Sequence, residues 1–405
     1  MVDAVGMEHV EIRRLTTEER LTRSFPLQAY AFEASPATAA RLDEFRDYLP
    51  YTEDGRTLVA EEGRTALATV TAIPMRQNVR GTVLPMAGVA AVATHPLARR
   101  QGHVRTLLTR LLGEMRDEGC VVSALYPFRP SFYARFGYAG LPKARTVGFS
   151  PAGLAPLVRA DLPGDLRWQR IREGYPDQRA LTERLLADRH GFAIFPASRA
   201  VWPRDTDERW SVTALVDGEV AGVFTYRISD HGGTLAGDDL LTTGPLGRTL
   251  LLQFLARHVD QVDRVTMRIA PDETPELWGV DFAVRVTADV HFPTSAAPMA
   301  RLLSLDALRR LAAGPGRVVV ELVDDPFLSR RHLLDGIDGR IELTGADPTA
   351  VPAATLTAAG LSALVYGVLD PVEVVLQGLG AVPDDAAAQL RTLFPRRLPH
   401  LYADF

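Results

Sequence analysis

Apolar residues between Val104 and Met115 recur at spacings of three and four: Val104, Leu107, Leu108, Leu111, Leu112 and Met115. That period predicts an amphipathic helix over 102–118. The run before it, L-P-M-A-G-V-A-A-V-A-T at 84–94, reads as a strand that His95-Pro96-Leu97 interrupts. The same reading gives helices over 18–31 and 36–48, and strands over 57–61 and 64–74. Turns fall at Glu62-Gly63 and Arg80-Gly81. A strand over 121–126, a short helix near 131–136 and a strand near 138–149 follow. The pattern is α/β, in the α+β sense, with a mixed sheet.

The order then recurs. A hairpin over 211–216 and 219–228 leads to a strand over 235–242, an apolar helix over 247–259 and a strand over 265–269. The loop Thr243-Gly244-Pro245-Leu246-Gly247 before that helix lacks the paired arginines found before the first. The second unit therefore reads as a degenerate copy of the first. From 291 the texture changes, with strands over 318–323 and 339–343 and helices over 352–366, 371–379 and 386–393. The expected division is 1–148, 149–290 and 291–405.

Composition narrows the class. A chain of 405 residues suits two or three domains, and 46% hydrophobic with 23% charged residues is a globular balance. A net charge of −5, with scattered arginines, argues against a nucleic-acid partner. Cys120 is the sole cysteine, so no intrachain disulfide forms, and its apolar surroundings suggest a core thiol. The acidic start lacks a leader-like apolar segment, and no run of ~20 apolar residues could span a membrane. The expected location is the cytoplasm. No His/Cys/Asp set has zinc-ligand spacing, so no metal is expected. His95 and His103 have no carboxylate beside them in sequence to tune them as bases.

The chemistry concentrates in the loop Arg99-Arg100-Gln101-Gly102-His103-Val104. A glycine at a helix N-terminus leaves free N–H groups and the positive end of the dipole facing one spot, which suits a diphosphate. Arg99 and Arg100 add charged donors. The bland reading is an ordinary strand-loop-helix with a basic turn. The loop resembles the acetyl-CoA pyrophosphate loop R/Q-x-x-G-x-G/A of GNAT acetyltransferases, with Arg99 and Gly102 matching and Val104 where a small residue is usual. The resemblance implies acetyl-CoA as cosubstrate, with backbone at Val92, Ala93 and Thr94 holding its pantetheine arm. The segment S-F-Y-A-R-F-G-Y at 131–138 is similar to the Y-x-x-x-G-F/Y segment of that family. Tyr133 is then the candidate general acid for the leaving thiolate, with Tyr126 as its rival or as a pocket wall. Its aromatic neighbours also read as an ordinary core cluster.

The loop, the second degenerate unit and a further domain ending L-Y-A-D-F together resemble the Eis (enhanced intracellular survival) N-acetyltransferases. That resemblance implies a sterol-carrier-protein-like third domain and a hexamer. It also implies that the α-carboxylate of Phe405 is the general base, with Asp404 beside it facing a cationic substrate. Aminoglycoside amines are the implied substrates, and Phe32 and Phe45 the implied pocket aromatics. Glu33, Asp43 and Glu44 are weaker pocket candidates that read equally as a solvated helix face. The alternatives are a protein-lysine or small-metabolite acetyltransferase, and a non-catalytic CoA- or lipid-binding protein.

Overall fold

The computed structural model describes residues 10–345 and 352–405. The N-terminal residues read for a leader lie outside the described residues. The first sheet begins as an antiparallel meander of β1 (Glu11–Arg14), β2 (Arg56–Glu62), β3 (Thr65–Val79) and β4 (Thr82–Thr94). The β3–β4 hairpin closes on Arg80 and Gly81, at φ 49° and 83°, between paired Val79 and Thr82. Two positive φ values in a two-residue loop match the right-handed twist of the strands. Between β1 and β2 the expected helix over 18–31 is divided into α1 (Glu19–Arg23) and α2 (Phe25–Phe32). Pro26, at the start of α2, has no N–H to continue the ladder. α3 (Ala39–Tyr48) starts on Thr38, whose side chain accepts from the Arg41 N–H.

From β4 the chain crosses through α4 (His103–Asp117) to β5 (Val122–Leu125), which lies parallel to β4. α4 buries Leu107, Leu108, Leu111, Leu112 and Met115 on the face read from the sequence. α5 (Pro130–Ala134) then leads to β6 (Ala139–Gly140) and β7 (Arg145–Phe149). These two short strands replace the single one expected over 138–149, and they lie in different sheets. β6 stays with the first sheet, and β7 pairs with Val262–Ile269 and Val284–Thr287 in the second. In return, Met299–Leu302 enters the first sheet between β5 and β6. The sheets thus trade strands across the divisions expected at 148/149 and 290/291.

The second sheet repeats the plan of the first. The hairpin Trp210–Val216 with Glu219–Ile228 leads to Gly232–Asp239, the helix Pro245–Ala256 and the parallel strand Val262–Ile269. The long helix Ile171–Asp188 escaped the periodicity reading because it carries Gly174 and Pro176. Packing overrides propensity there: a Cβ on Gly174 would stand 2.6 Å from the Ser211 hydroxyl, so the helix lies tight on the sheet.

The third unit is a five-stranded sheet with the helices Ala358–Val365, Pro371–Leu376 and Asp384–Leu393. The helix expected over 352–366 begins as a strand, Ala353–Thr357, parallel to Arg317–Val323. Thr357 ends that strand by accepting from the Gly360 N–H and so starting the helix. α4 covers one face of the first sheet, with Leu58, Val70 and Val89 in the same cluster. The third unit covers the other face, where Ile73, Met75 and Met86 share a core with Val320, Leu361 and Leu364.

Candidate active site

The site starts where β4 and β5 part. Their parallel pairing covers Met86–Val89 against Val122–Leu125 and stops when β5 ends. β4 continues to Thr94, paired with β3 on its other side only. At the fork Ala91 takes φ 52°, and the register against β3 slips between Thr69 and Thr71. This bulge turns the strand away from its neighbour. The edge of Val92, Ala93 and Thr94 facing the opening is a row of peptide groups suited to an extended amide-bearing arm.

The opening leads to the N-terminus of α4. Gly102 sits at φ 89°, where a Cβ would be strained, and nothing lies within 4 Å of where one would stand. Among the described residues no side chain caps the helix, which leaves its first N–H groups available to a ligand. Arg100 also holds a left-handed conformation, at φ 66°. Arg99 rests its guanidinium 5.8 Å from the centre of the Tyr30 ring. Gln101 bonds the Leu97 carbonyl and the His103 ring, at 3.2 and 3.1 Å, which stiffens the loop. Val104, the departure from the usual loop pattern, packs its side chain on the α4 core instead of crowding the loop.

The matching place in the second unit is built differently. The strands Gly232–Asp239 and Val262–Ile269 stay paired as far as Asp239 and Arg268. Pro245 occupies the first helical turn and removes a donor there. Gly244 caps that helix as Gly102 caps α4, with nothing within 4 Å of where a Cβ would stand, while Gly247 in its first turn packs on the Ala221 backbone, 2.3 Å from where its own Cβ would be.

Tyr133 stands on α5 at 2% exposure, in one cluster with Val89 and Leu125 and with Val92 at its margin. That places it beside the fork. The rings of Phe128, Phe132 and Tyr138 surround it at 5.4, 5.0 and 6.2 Å. The reading of this run as an aromatic core cluster is what the packing shows. Burial pushes the Tyr133 hydroxyl well above the usual phenol range, which keeps it protonated and able to donate. Tyr138 is engaged elsewhere, with its hydroxyl 2.7 Å from that of Ser123. Gly137, at φ 80°, is needed to turn this segment, since a Cβ would stand 2.8 Å from that of Ala358.

The C-terminal segment inserts between the two GNAT-like sheets. The His400 N–H donates to the His190 carbonyl at 2.9 Å, and Tyr402 stacks on Phe192 at 4.7 Å. The Phe405 ring meets Tyr126 at 5.7 Å and Phe195 at 6.2 Å, both edge-on. It also covers Gly88, where a Cβ would stand 3.1 Å from the ring and 2.6 Å from the Met75 sulfur. Tyr126 lines neither cavity described below. It clamps the segment, donating its hydroxyl to the Ala403 carbonyl at 3.2 Å. Arg80, buried at the β3–β4 turn, anchors the chain upstream by donating to the carbonyls of Leu364, Val365 and Pro395.

His190 ties these parts together as a neutral ring. Its Nδ1 accepts from the Arg80 N–H at 3.1 Å, and its Nε2 lies 3.0 Å from the Tyr366 carbonyl. Burial pulls its pKa from 6.5 down to about 4, and His400 is pulled down to about 3 for the same reason. The unfolded chain takes up these protons first, so stability is complete above pH ~6.5 and falls as pH drops toward ~4. His190 alone is expected to remove on the order of 3 kcal/mol over that window. Urea midpoints at pH 7.5, 6, 5 and 4.5 check this, and a flat profile in that range contradicts it.

One cavity borders the segment and a second lies beyond Arg199, which lines both. The larger, about 340 Å³, is walled by the second sheet, the helix Ile171–Asp188, Tyr402 and Asp404. The smaller, about 100 Å³, is walled by Phe45, Tyr48 and the bulge residues Ala90 and Ala91. Phe45 stacks on Phe25 at 4.3 Å and faces this smaller space. Phe32 does not take the pocket place expected of it: at the end of α2 it is 56% exposed and lines neither cavity. Glu33 pairs with Arg41, and Asp43 with Arg46, as a solvated helix face would. Asp404 is on the larger cavity's wall, 3.8 Å from Arg268. Sequence reading missed the wall residues Phe195, Arg199, Asp238 and Asp239, which no short motif marks and which only the fold gathers.

A forked strand pair, an open helix N-terminus and a buried phenol beside the fork form the framework of an acyl-CoA-dependent transferase. Residues 11–140 match a family described as acetyltransferase (GNAT) domain, and residues 189–302 match a second family of the same description. An uncharacterized N-acetyltransferase of Streptomyces avermitilis is 26% identical over 382 residues, 87% of each chain. The N-acetyltransferase Eis of Mycobacterium tuberculosis is 35% identical over 89 residues, 21% of this chain and 22% of that one. A GCN5-related N-acetyltransferase structure from Kribbella flavida superposes with a TM-score of 0.80 at 24% identity, covering 98% and 99% of the two chains. Eis1 from Mycobacterium abscessus gives 0.75 at 20% identity, covering 98% and 100%. The chain carries two GNAT domains in tandem and is an acetyl-CoA-dependent N-acetyltransferase of the GNAT type.

Proposed function

We propose that the first GNAT domain transfers acetyl directly from acetyl-CoA to a primary amine, with Tyr133 as general acid and the α-carboxylate of Phe405 as general base. The observation that carries this is the seating of Phe405 over Gly88, on the strand that forks to receive the thioester. The diphosphate meets Arg99, Arg100 and the free N–H groups after Gly102, with Gln101, His103 and Val104 completing the loop. The pantetheine arm lies along Val92, Ala93 and Thr94, and a β4 N–H polarises the thioester carbonyl. The amine nitrogen bonds to the carbonyl carbon and passes a proton to the Phe405 carboxylate. The C–S bond then breaks, and the departing sulfur takes a hydrogen bond, then a proton, from the Tyr133 hydroxyl. The raised pKa of Tyr133 makes it a weak acid, so its main contribution is to the charge that grows on sulfur in the transition state.

Aminoglycosides are a second acceptor class, favoured by the exposed Asp404 carboxylate at the mouth of the larger cavity. On the same family resemblance, residues 291–405 form a sterol-carrier-like domain that delivers the tail, and the chain assembles as a hexamer. CoA-thiol release from acetyl-CoA, measured across simple amines, amino acids and aminoglycosides, tests the reaction. Release with none of them would contradict it. Replacing both Arg99 and Arg100 by Ala is expected to weaken CoA by roughly 2–4 kcal/mol, or roughly 30-fold to several hundred-fold. Equilibrium titration with CoA measures this, and unchanged affinity would reject the diphosphate site.

A further inference from the structure

The larger cavity contains a cation that no carboxylate balances among the described residues. Its other arginines are all engaged: Arg179 with Glu183 at 2.6 Å, Arg209 with Asp207 at 2.9 Å and with Asp238, and Arg268 with Asp239 at 2.6 Å. Each aspartate of that wall is thereby within reach of an arginine as well, Asp404 at 3.8 Å. Arg199 differs. It ends the short helix Ala197–Ala200 and borders both cavities. Its guanidinium lies 4.8 Å from the centre of the Phe195 ring and 5.4 Å from that of Tyr48. Asp54, on the smaller cavity's wall, is bonded to the Ser198 hydroxyl, and Arg20 there donates to the Thr52 and Gly55 carbonyls. Burial pulls the Arg199 pKa down, and the Tyr48 hydroxyl offsets this in part.

Two aromatic faces hold a guanidinium in place but accept none of its five N–H groups. A carboxylate fits a guanidinium fork, as a phosphate does. Phe195 links this point to the reacting end, since the ring that carries Arg199 also meets Phe405 at 6.2 Å. The cavity wall includes apolar Ile194, Val223 and Leu241, which suit methylenes, and it reaches Asp404, the residue before Phe405.

We propose that the acceptor is an ω-amino acid, a primary amine carrying a carboxylate several methylenes away. Arg199 holds the carboxylate, and the amine reaches Phe405. This rests on the assignment of Phe405 as the base.

The test compares 5-aminopentanoate with pentylamine, which has the same chain and amine but no carboxylate. Both are titrated calorimetrically into the full chain holding CoA, and CoA release from acetyl-CoA is measured with each. The native protein is expected to bind 5-aminopentanoate at least roughly tenfold tighter. Arg199→Gln should bring the ratio of the two affinities near one, and Arg199→Lys should restore part of it. The same preference in the native chain and in Arg199→Gln, no preference in the native chain, or binding of neither ligand would each overturn the proposal. An Arg199-dependent binding preference with CoA release from other primary amines but not from 5-aminopentanoate would overturn the ω-amino acid as acceptor and spare the assigned reaction, and release from no amine would overturn both.

Discussion

Extending the chain beyond Phe405 is expected to lower kcat by at least roughly 100-fold while Tm moves by no more than about 2 °C. The Phe405 ring is held by Tyr126, Phe195 and the bare backbone at Gly88, and these contacts do not need a free carboxylate. An added residue turns the carboxylate into a neutral amide and carries the new charge ~3.5 Å onward. A chain made by ligation with Phe405 amidated is the sharper control, because it removes the charge and adds no bulk. CoA-release kinetics and a thermal melt on both forms decide the matter. Full turnover in the amidated chain would move the base elsewhere, while a large fall in Tm would show that the carboxylate serves folding.

Replacing Tyr133 by Phe is expected to lower kcat by roughly 100-fold and to leave the affinity for CoA within roughly threefold. The substitution removes one oxygen from a side chain packed among Phe128, Phe132 and Tyr138, so the aromatic cluster keeps its shape. The loss falls on the step in which charge reaches the sulfur, not on the hold of the diphosphate some distance away at Gly102. Pre-steady-state acetyl transfer beside CoA titration separates the two. Equal losses in rate and affinity would reduce Tyr133 to a wall residue. An aryl-thiol ester of acetate, whose leaving group needs no proton, should recover much of the lost rate if the phenol acts on the sulfur.

What could be read from residues alone follows physical range. The face of α4, the glycine at its N-terminus and the hairpin at Arg80-Gly81 are fixed by neighbours within a few positions, and the structure reproduces them. The helix Ile171–Asp188 was hidden because Gly174 and Pro176 lower its local propensity, and only contact with Ser211 explains Gly174. The strand expected over 138–149 was read as one because sequence does not show that Ala139–Gly140 and Arg145–Phe149 serve different sheets. The motif singled out Tyr133, which the structure buries in one cluster with Val89 and Leu125. Phe195 and Arg199 were not, because their neighbours Tyr48 and Phe405 stand far away along the chain. Phe32 was placed by the family resemblance, which points to aromatics on the early helices but not to where the end of α2 faces.

The traded strands impose an order of assembly. During synthesis β5 has β4 on one side, while its other edge must wait until the entire second sheet has been made and Met299–Leu302 arrives. A nascent or truncated chain ending near 290 therefore exposes an unpaired strand next to apolar Val122 and Ala124, both fully buried in the finished fold. Separate expression of the first 148 residues should give aggregates, and adding the missing strand in trans as a peptide should reduce them. Every strand of the second sheet lies within 145–287, between β6 and Met299–Leu302 of the first, so the first sheet is finished only once the second has been threaded through it.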